Sequence, residues 1–128
     1  KLEIFDNVNY HLMEKILKLR NIIEKTLDDN KALDIVSIDL KDKSSMADFM
    51  IIASGTSSRH LQALSELIRD KFKLNGIFNC HIEGNDSTVW KLIDGKDIIV
   101  HIFHPEKRKF YDLEKMWSEL LPKERLKI

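Results

Sequence analysis

The sequence predicts a single α/β domain, a mixed sheet of about five strands with flanking helices. Three observations carry that class. Apolar residues recur at helical spacing in two long stretches, from Tyr10 to Lys31 and from Arg59 to Asn75. Short β-type runs follow each of them, and one, Phe49 to Ala53, is apolar without a break. Two alternating runs then flank Asp94, Gly95, Lys96 and Asp97, a hairpin signature. The chain has 128 residues, which suits one domain around one core. A chain of this size buries roughly two thirds of its unfolded surface, enough to fold without a disulfide or a metal.

In the first helix Leu12, Ile16, Leu19, Ile23 and Leu27 recur three and four apart, and Met13 and Ile22 widen the stripe. Lys18, Arg20 and Asn21 lie opposite. Asp28, Asp29 and Asn30 suit the negative end of a helix dipole poorly and mark its end. So broad a stripe packs within the chain by default, or else against a partner helix. From Leu33 to Leu40, Val36, Ile38 and Leu40 alternate with Ser37 and Asp39, which predicts a strand with one apolar side. The second strand, Ala47 to Gly55, reads as a central one covered on both faces. Gly55 ends it, and Thr56, Ser57 and Ser58 offer capping hydroxyls to the next helix. Leu61, Leu64, Ile68 and Phe72 form that helix's inner side, with Leu67 and Leu74 beside them; Asn75 and Gly76 are its stop signal. A strand–helix–strand crossover of this kind is right-handed almost by rule. Ile77 to Glu83 is the next expected strand.

In the hairpin, taking Gly95 and Lys96 as the loop sets Asp94 against Asp97, Leu92 against Ile99 and Trp90 against His101. One face then carries Trp90, Leu92, Ile99, His101 and Phe103. The other carries Val89, Ile93, Ile98, Val100 and Ile102, with Lys91 its single charge. Leu113, Met116, Trp117 and Leu120 mark a last helix, closed by Pro122. The expected organisation is a helix over residues 1–30, within or packed on the domain, the domain proper over 31–120, and a basic tail over 121–128.

Composition narrows the function. Lys and Arg number 21, Asp and Glu 21, so the net charge is zero. That argues against broad coating of nucleic acid and leaves room for a local patch. One cysteine, Cys80, excludes an intrachain disulfide framework and points to a reducing, cytoplasmic compartment. No apolar run is long enough for a membrane helix, and the first residues lack the pattern of a signal peptide.

The chemistry-bearing residues do not assemble into a catalytic set. His101 and His104, with Glu106 nearby, are an odd number apart, so on a strand they face opposite ways. A metal needs three or four converging ligands, and the pair reads instead as a sheet histidine and a loop histidine. Adjacent Cys80 and His81 diverge for the same reason, and a lone cysteine without a placed base is more often core than nucleophile. Ser54, Gly55, Ser57 and Arg59 are the weaker candidates for an anion site at a helix start. The glycine spacing of dinucleotide and triphosphate loops is missing, and an ordinary capped turn explains them equally well. Two-metal chemistry needs carboxylates converging on ions about 4 Å apart; Asp39 with Asp48, or Asp94 with Asp97, are candidates, although acids at a hairpin tip usually just shape the turn. Glu106, Lys107, Arg108, Lys109, Phe110, Tyr111 and Trp117 mix bases with aromatics, which suits single-stranded RNA or a protein interface. Zero net charge favours the protein. No enzyme activity, cofactor or metal is expected.

Beyond these readings, residues 31–64 resemble the opening of the ribosomal silencing factor, or Iojap-like, family, and residues 83–117 its closing half. The pattern comprises Asp34, Asp39, Ser45, Ala47, Asp48, Ser54, Gly55, Ser57 and Arg59, then Gly84, Trp90, Asp94, Asp97, His101, Phe103, Glu106, Arg108, Tyr111, Leu113, Glu114 and Trp117. The resemblance implies a topology like that of nucleotidyltransferases without their catalytic carboxylates. It implies a homodimer that binds the large ribosomal subunit through its fourteenth protein, at the face that meets the small subunit. Joining would be blocked and translation lowered when nutrients are scarce; the alternatives are an assembly factor using the same face and a nucleotidyltransferase-like enzyme. The resemblance is to a bacterial, cytoplasmic member, with no membrane and no dedicated nucleic-acid site. It implies partner contacts at Trp90, Leu92, Ile93, Asp94, Gly95, Asp97 and Tyr111. One departure stands out: the family reads Asp-Tyr-Gly-Asp at the hairpin tip, and Gly95 and Lys96 here replace the tyrosine and glycine. On the expected register Gly95 supplies a positive backbone angle.

Overall fold

Nothing in the first 54 residues is glycine or proline, and the first helix, α1 (Leu2–Asp29), accordingly extends N-terminal to the periodic stretch that begins at Tyr10. The computed structural model describes residues 2–41, 45, 47–84 and 89–106, with side chains from Tyr10 onward. After α1 come β1 (Leu33–Asp39), β2 (Phe49–Ser54), α2 (Ser58–Leu74), β3 (His81–Glu83), β4 (Trp90–Asp94) and β5 (Ile98–Phe103). The expected last helix lies outside the described residues.

Both helices end in the same hydrogen-bonded motif. At α1 the Ala32 N–H donates to the Leu27 carbonyl (2.9 Å) and the Lys31 N–H to that of Asp28 (3.1 Å), with Lys31 at φ 67°. At α2 the Ile77 N–H donates to Phe72 (2.9 Å) and the Gly76 N–H to Lys73 (3.1 Å), with Gly76 at φ 91°. These are Schellman caps. The second has the usual glycine; the first places a lysine in the left-handed region. At its other end α2 is capped by Ser57, whose Oγ accepts the His60 N–H at 3.1 Å.

The sheet order is β1-β2-β5-β4-β3. The central pair β2–β5 is parallel and the other three are antiparallel, so the sheet is mixed. Both described helices cover one face. There Leu19, Ile23 and Leu27 of α1 and Leu61, Leu64, Ile68 and Phe72 of α2 pack on Phe49, Ile51, Ala53, Ile93, Ile98, Val100 and Ile102. The α1 stripe is buried only from Leu19 on; Ile16 is partly buried and Leu12 is 55% exposed. The other face holds a second cluster of Leu40, Ala47, Met50, Ile52, Ile99 and Phe103, flanked by Ile38, Trp90 and Leu92, to which neither α1 nor α2 contributes. Every residue of β2 is buried, as its uninterrupted apolar run requires.

Three expectations need correction. The hairpin is slipped by two residues: Trp90 pairs with Phe103, Leu92 with His101 and Asp94 with Ile99. An even slip leaves every side chain on its expected face. The turn lies at Lys96, which has φ 72°, and the Asp97 N–H donates to the Gly95 carbonyl at 3.0 Å. That is a γ-turn centred on a lysine, steadied by the Asp94 carboxylate accepting the Lys96 N–H at 2.9 Å. Gly95 is not at positive φ. Its absent side chain serves space, because a Cβ there would penetrate the Phe72 ring. The strand expected over Ile77–Glu83 is regular only over His81–Glu83, since the cap of α2 holds Ile77. Finally, β1 is a largely exposed edge strand, with a bulge between Leu33 and Val36 and Asp34 at φ 50°. Such kinks protect an edge from pairing with other chains.

Candidate functional site

The alternation of β4 sorts the expected contact residues onto two faces. Trp90, Leu92 and Asp94 lie on the face without α1 and α2, and each is partly buried. Ile93 is fully buried in the helix-side core, opposite Val100. Gly95 lies against Phe72 on that same side. The structure therefore brings Trp90, Leu92 and Asp94 together, with Asp97 exposed at the tip, and separates Ile93 and Gly95 from them. Tyr111 lies outside the described residues.

Trp90 is held from two directions. Gly84 has φ 81°, and a Cβ on it would stand 3.0 Å from Trp90 Cε3. The indole thus lies over a position only glycine leaves open. At its other end Trp90 Nε1–H donates to His101 Nδ1 at 3.3 Å. The two rings are 6.3 Å apart and tilted 31°, and His101 stacks on Phe103 at 5.9 Å and 6°. Burial pushes the His101 imidazole from the ordinary histidine value of 6.5 down to about 4, so the ring is neutral at neutral pH. The Gly84 carbonyl meanwhile accepts from buried Lys91 Nζ at 2.8 Å on the helix side. Gly84 is the hub between the two faces. The sequence does not reveal this role, because a glycine before a turn has a simpler explanation there.

The other candidates are engaged elsewhere. Ser54 is fully buried, the Gly55 N–H donates to the Phe103 carbonyl at 2.9 Å, and Ser57 is the helix cap. The Thr56 N–H donates to His60 Nδ1 (2.9 Å), while His60 Nε2 bonds the Asn30 carbonyl (2.8 Å). The loop thus ties α2 to the end of α1 and has fewer amides to offer an anion; Arg59 is exposed. His104 sits on the loop after β5, its N–H donating to the Val89 carbonyl at 2.8 Å. Among the described residues no three His, Cys, Asp or Glu side chains are placed to hold a metal ion. Burial, followed by the nearby Asp97 carboxylate, raises the Asp48 pKa. Burial, helped by Asp94, pushes the Cys80 thiol up to about 11, which keeps it protonated and unreactive.

A family model described as "Ribosomal silencing factor during starvation" matches residues 13–127. The ribosomal silencing factor RsfS of Zymomonas mobilis is 46% identical over 105 residues, covering 82% of this chain and 77% of that protein. The protein of the same name from Bacillus subtilis is 39% identical over 92 residues, 72% of this chain and 78% of that one. A mouse protein named "Mitochondrial assembly of ribosomal large subunit protein 1" is 31% identical, covering 77% of this chain and 44% of that one. A crystal structure of a Chromobacterium violaceum protein superimposes with a TM-score of 0.75 at 33% identity, over 80% of this chain and 86% of the other.

Proposed function

We propose a function from one premise: the chain belongs to the ribosomal silencing factor family. The protein binds the large ribosomal subunit through its fourteenth protein, occupies the face that meets the small subunit, and so blocks joining and represses translation under nutrient limitation. It acts in the cytoplasm, as a homodimer, by steric exclusion and with no reaction catalysed; the nucleotidyltransferase-like topology is part of the same proposal. The match over residues 13–127 is the observation that carries this reading. The face built from Trp90, Leu92 and Asp94 supports it, because it combines an aromatic anchor with acidic neighbours. Such an anchor contributes about 2 kcal/mol or more to an interface, while the carboxylates mainly set encounter rate and specificity.

A subunit-joining assay tests it. Purified protein prevents separated subunits from associating, and Trp90→Ala weakens the block by roughly thirtyfold in concentration, the equivalent of about 2 kcal/mol. Circular dichroism on the variant comes first, since Trp90 packs against the second cluster. Undisturbed joining at saturating protein would refute the proposal. A second reading, a large-subunit assembly factor using the same face, is favoured by the name of the mouse relative. Depletion of the protein separates the two: accumulation of immature large subunits during growth supports assembly, and unchanged subunit profiles with failed silencing in starvation support the first reading.

A further inference from the structure

We infer that His101 is a positioning residue for docking: its neutral imidazole accepts the Trp90 indole N–H and fixes the ring in the orientation shown to the partner. The inference rests on reading the Trp90 face as the docking surface.

The geometry decides the protonation and the tautomer. An indole N–H only donates, so at 3.3 Å His101 Nδ1 must carry a lone pair, and the proton sits on Nε2. Register makes the contact possible. Trp90 pairs with Phe103 and Leu92 with His101, so indole and imidazole are diagonal neighbours on one face. The imidazole cannot readily turn away, because it stacks on Phe103 nearly parallel at 5.9 Å. Nor can the indole tip backward, because its six-membered ring lies against Gly84. Among the described residues, those beside His101 on its face of the sheet are Ile52 of β2, Trp90 and Leu92 of β4, and Ile99 and Phe103 of β5. None of them titrates, and burial alone lowers the His101 pKa. Protonation turns Nδ1 from acceptor to donor and breaks the contact. A ring held beforehand loses less rotamer freedom on binding, which is how a contact outside the interface strengthens it.

The test follows the indole N–H resonance of Trp90 in nitrogen–proton spectra of the intact protein, assigned with Trp90→Phe. The resonance is expected to titrate together with the His101 ring protons, in acid well below the ordinary histidine range. In His101→Leu it moves upfield and no longer titrates. In His101→Gln, whose side-chain carbonyl supplies an acceptor, it returns part of the way. Large-subunit binding weakens roughly threefold to tenfold in His101→Leu, the equivalent of one hydrogen bond, and recovers in His101→Gln at the same thermal midpoint. An indole resonance indifferent to the His101 titration, or equal binding loss in both variants, overturns the inference. The wild-type titration is decisive even if His101→Leu fails to fold. Full binding by a folded Trp90→Ala protein would overturn the docking reading instead, and would leave the indole titration standing.

Discussion

Replacing Gly95 by alanine isolates one packing contact. Gly95 sits outside the left-handed region, so alanine meets no backbone strain there. The new methyl would instead enter the ring of Phe72, whose Cδ1 lies 2.9 Å from the Cβ position and whose edge atoms lie closer still. Phe72 is fully buried among Leu61, Leu64, Ile68 and Ile93, so the ring has little room to retreat. Overpacking of this kind costs about 1–3 kcal/mol. Reduced freedom of the unfolded chain returns about 0.4–1 kcal/mol. The net expectation is a loss of about 1–2 kcal/mol, or roughly 3–8 °C in Tm. Urea denaturation measures it, with an unchanged m-value showing that the unfolded state is the same. A cycle with Phe72→Leu then assigns the cause: removing the ring relieves the clash, and the double variant is more stable than the sum of single losses by about 1 kcal/mol. A Gly95→Ala protein as stable as the parent would refute the steric account. So would strict additivity with Phe72→Leu, which would place the loss elsewhere in the turn.

Two further outcomes follow from neighbouring features. Lys96→Gly should stabilise by about 1 kcal/mol, because a lysine held at φ 72° gives way to a residue with no steric penalty there; an unchanged urea midpoint counts against it. Stability should also fall on acidification through His101, whose folded pKa of about 4 lies below its ordinary 6.5. The folded state then binds fewer protons between those values, so this contribution is complete above pH 6.5, declines as the pH falls, and is gone below about 4. Its size is on the order of 3 kcal/mol, and His101→Gln should flatten that part of the stability profile.

What the sequence makes legible is the face of each residue, more than its partner. Trp90, Leu92, Ile99, His101 and Phe103 share a face in the structure, as alternation requires, although each cross-strand pair lies two residues from its expected place. Side-chain direction follows from a period of two, whereas register depends on which residues turn. Sequence logic puts the turn on Gly95 because glycine is the residue that tolerates positive φ most easily. The chain uses Lys96 there, with an Asp94 hydrogen bond to steady it, and keeps Gly95 for its contact with Phe72. That contact joins residues far apart in the sequence, and no local pattern announces it. The cap of α1 hides for a related reason: Lys31 occupies a position where glycine is the usual signal. By contrast β2 is legible outright, since a run apolar without a break from Phe49 to Ala53 belongs inside a sheet and not at its edge.

The same alternation bears on what kind of site this is. Acid–base chemistry needs titratable groups brought to one point with pKa values driven apart by their surroundings. Here the perturbed groups are dispersed. His101 lies on the face away from α1 and α2, made neutral by burial in apolar surroundings. Cys80 packs against the helix-side core near β3, its thiol held protonated. Asp48 precedes β2, raised by burial and by Asp97. In these three burial is the largest cause; a fourth, exposed Lys25 on α1, is raised by its hydrogen bond to Asp29. Burial of that kind is what packing produces when polar groups border a sheet. What remains concentrated is shape: an indole fixed between a glycine and a histidine, a leucine beside it, and two carboxylates at one end of the hairpin. On the docking proposal, the variants that matter most are those that disturb how Trp90 is held while leaving the helix-side core intact.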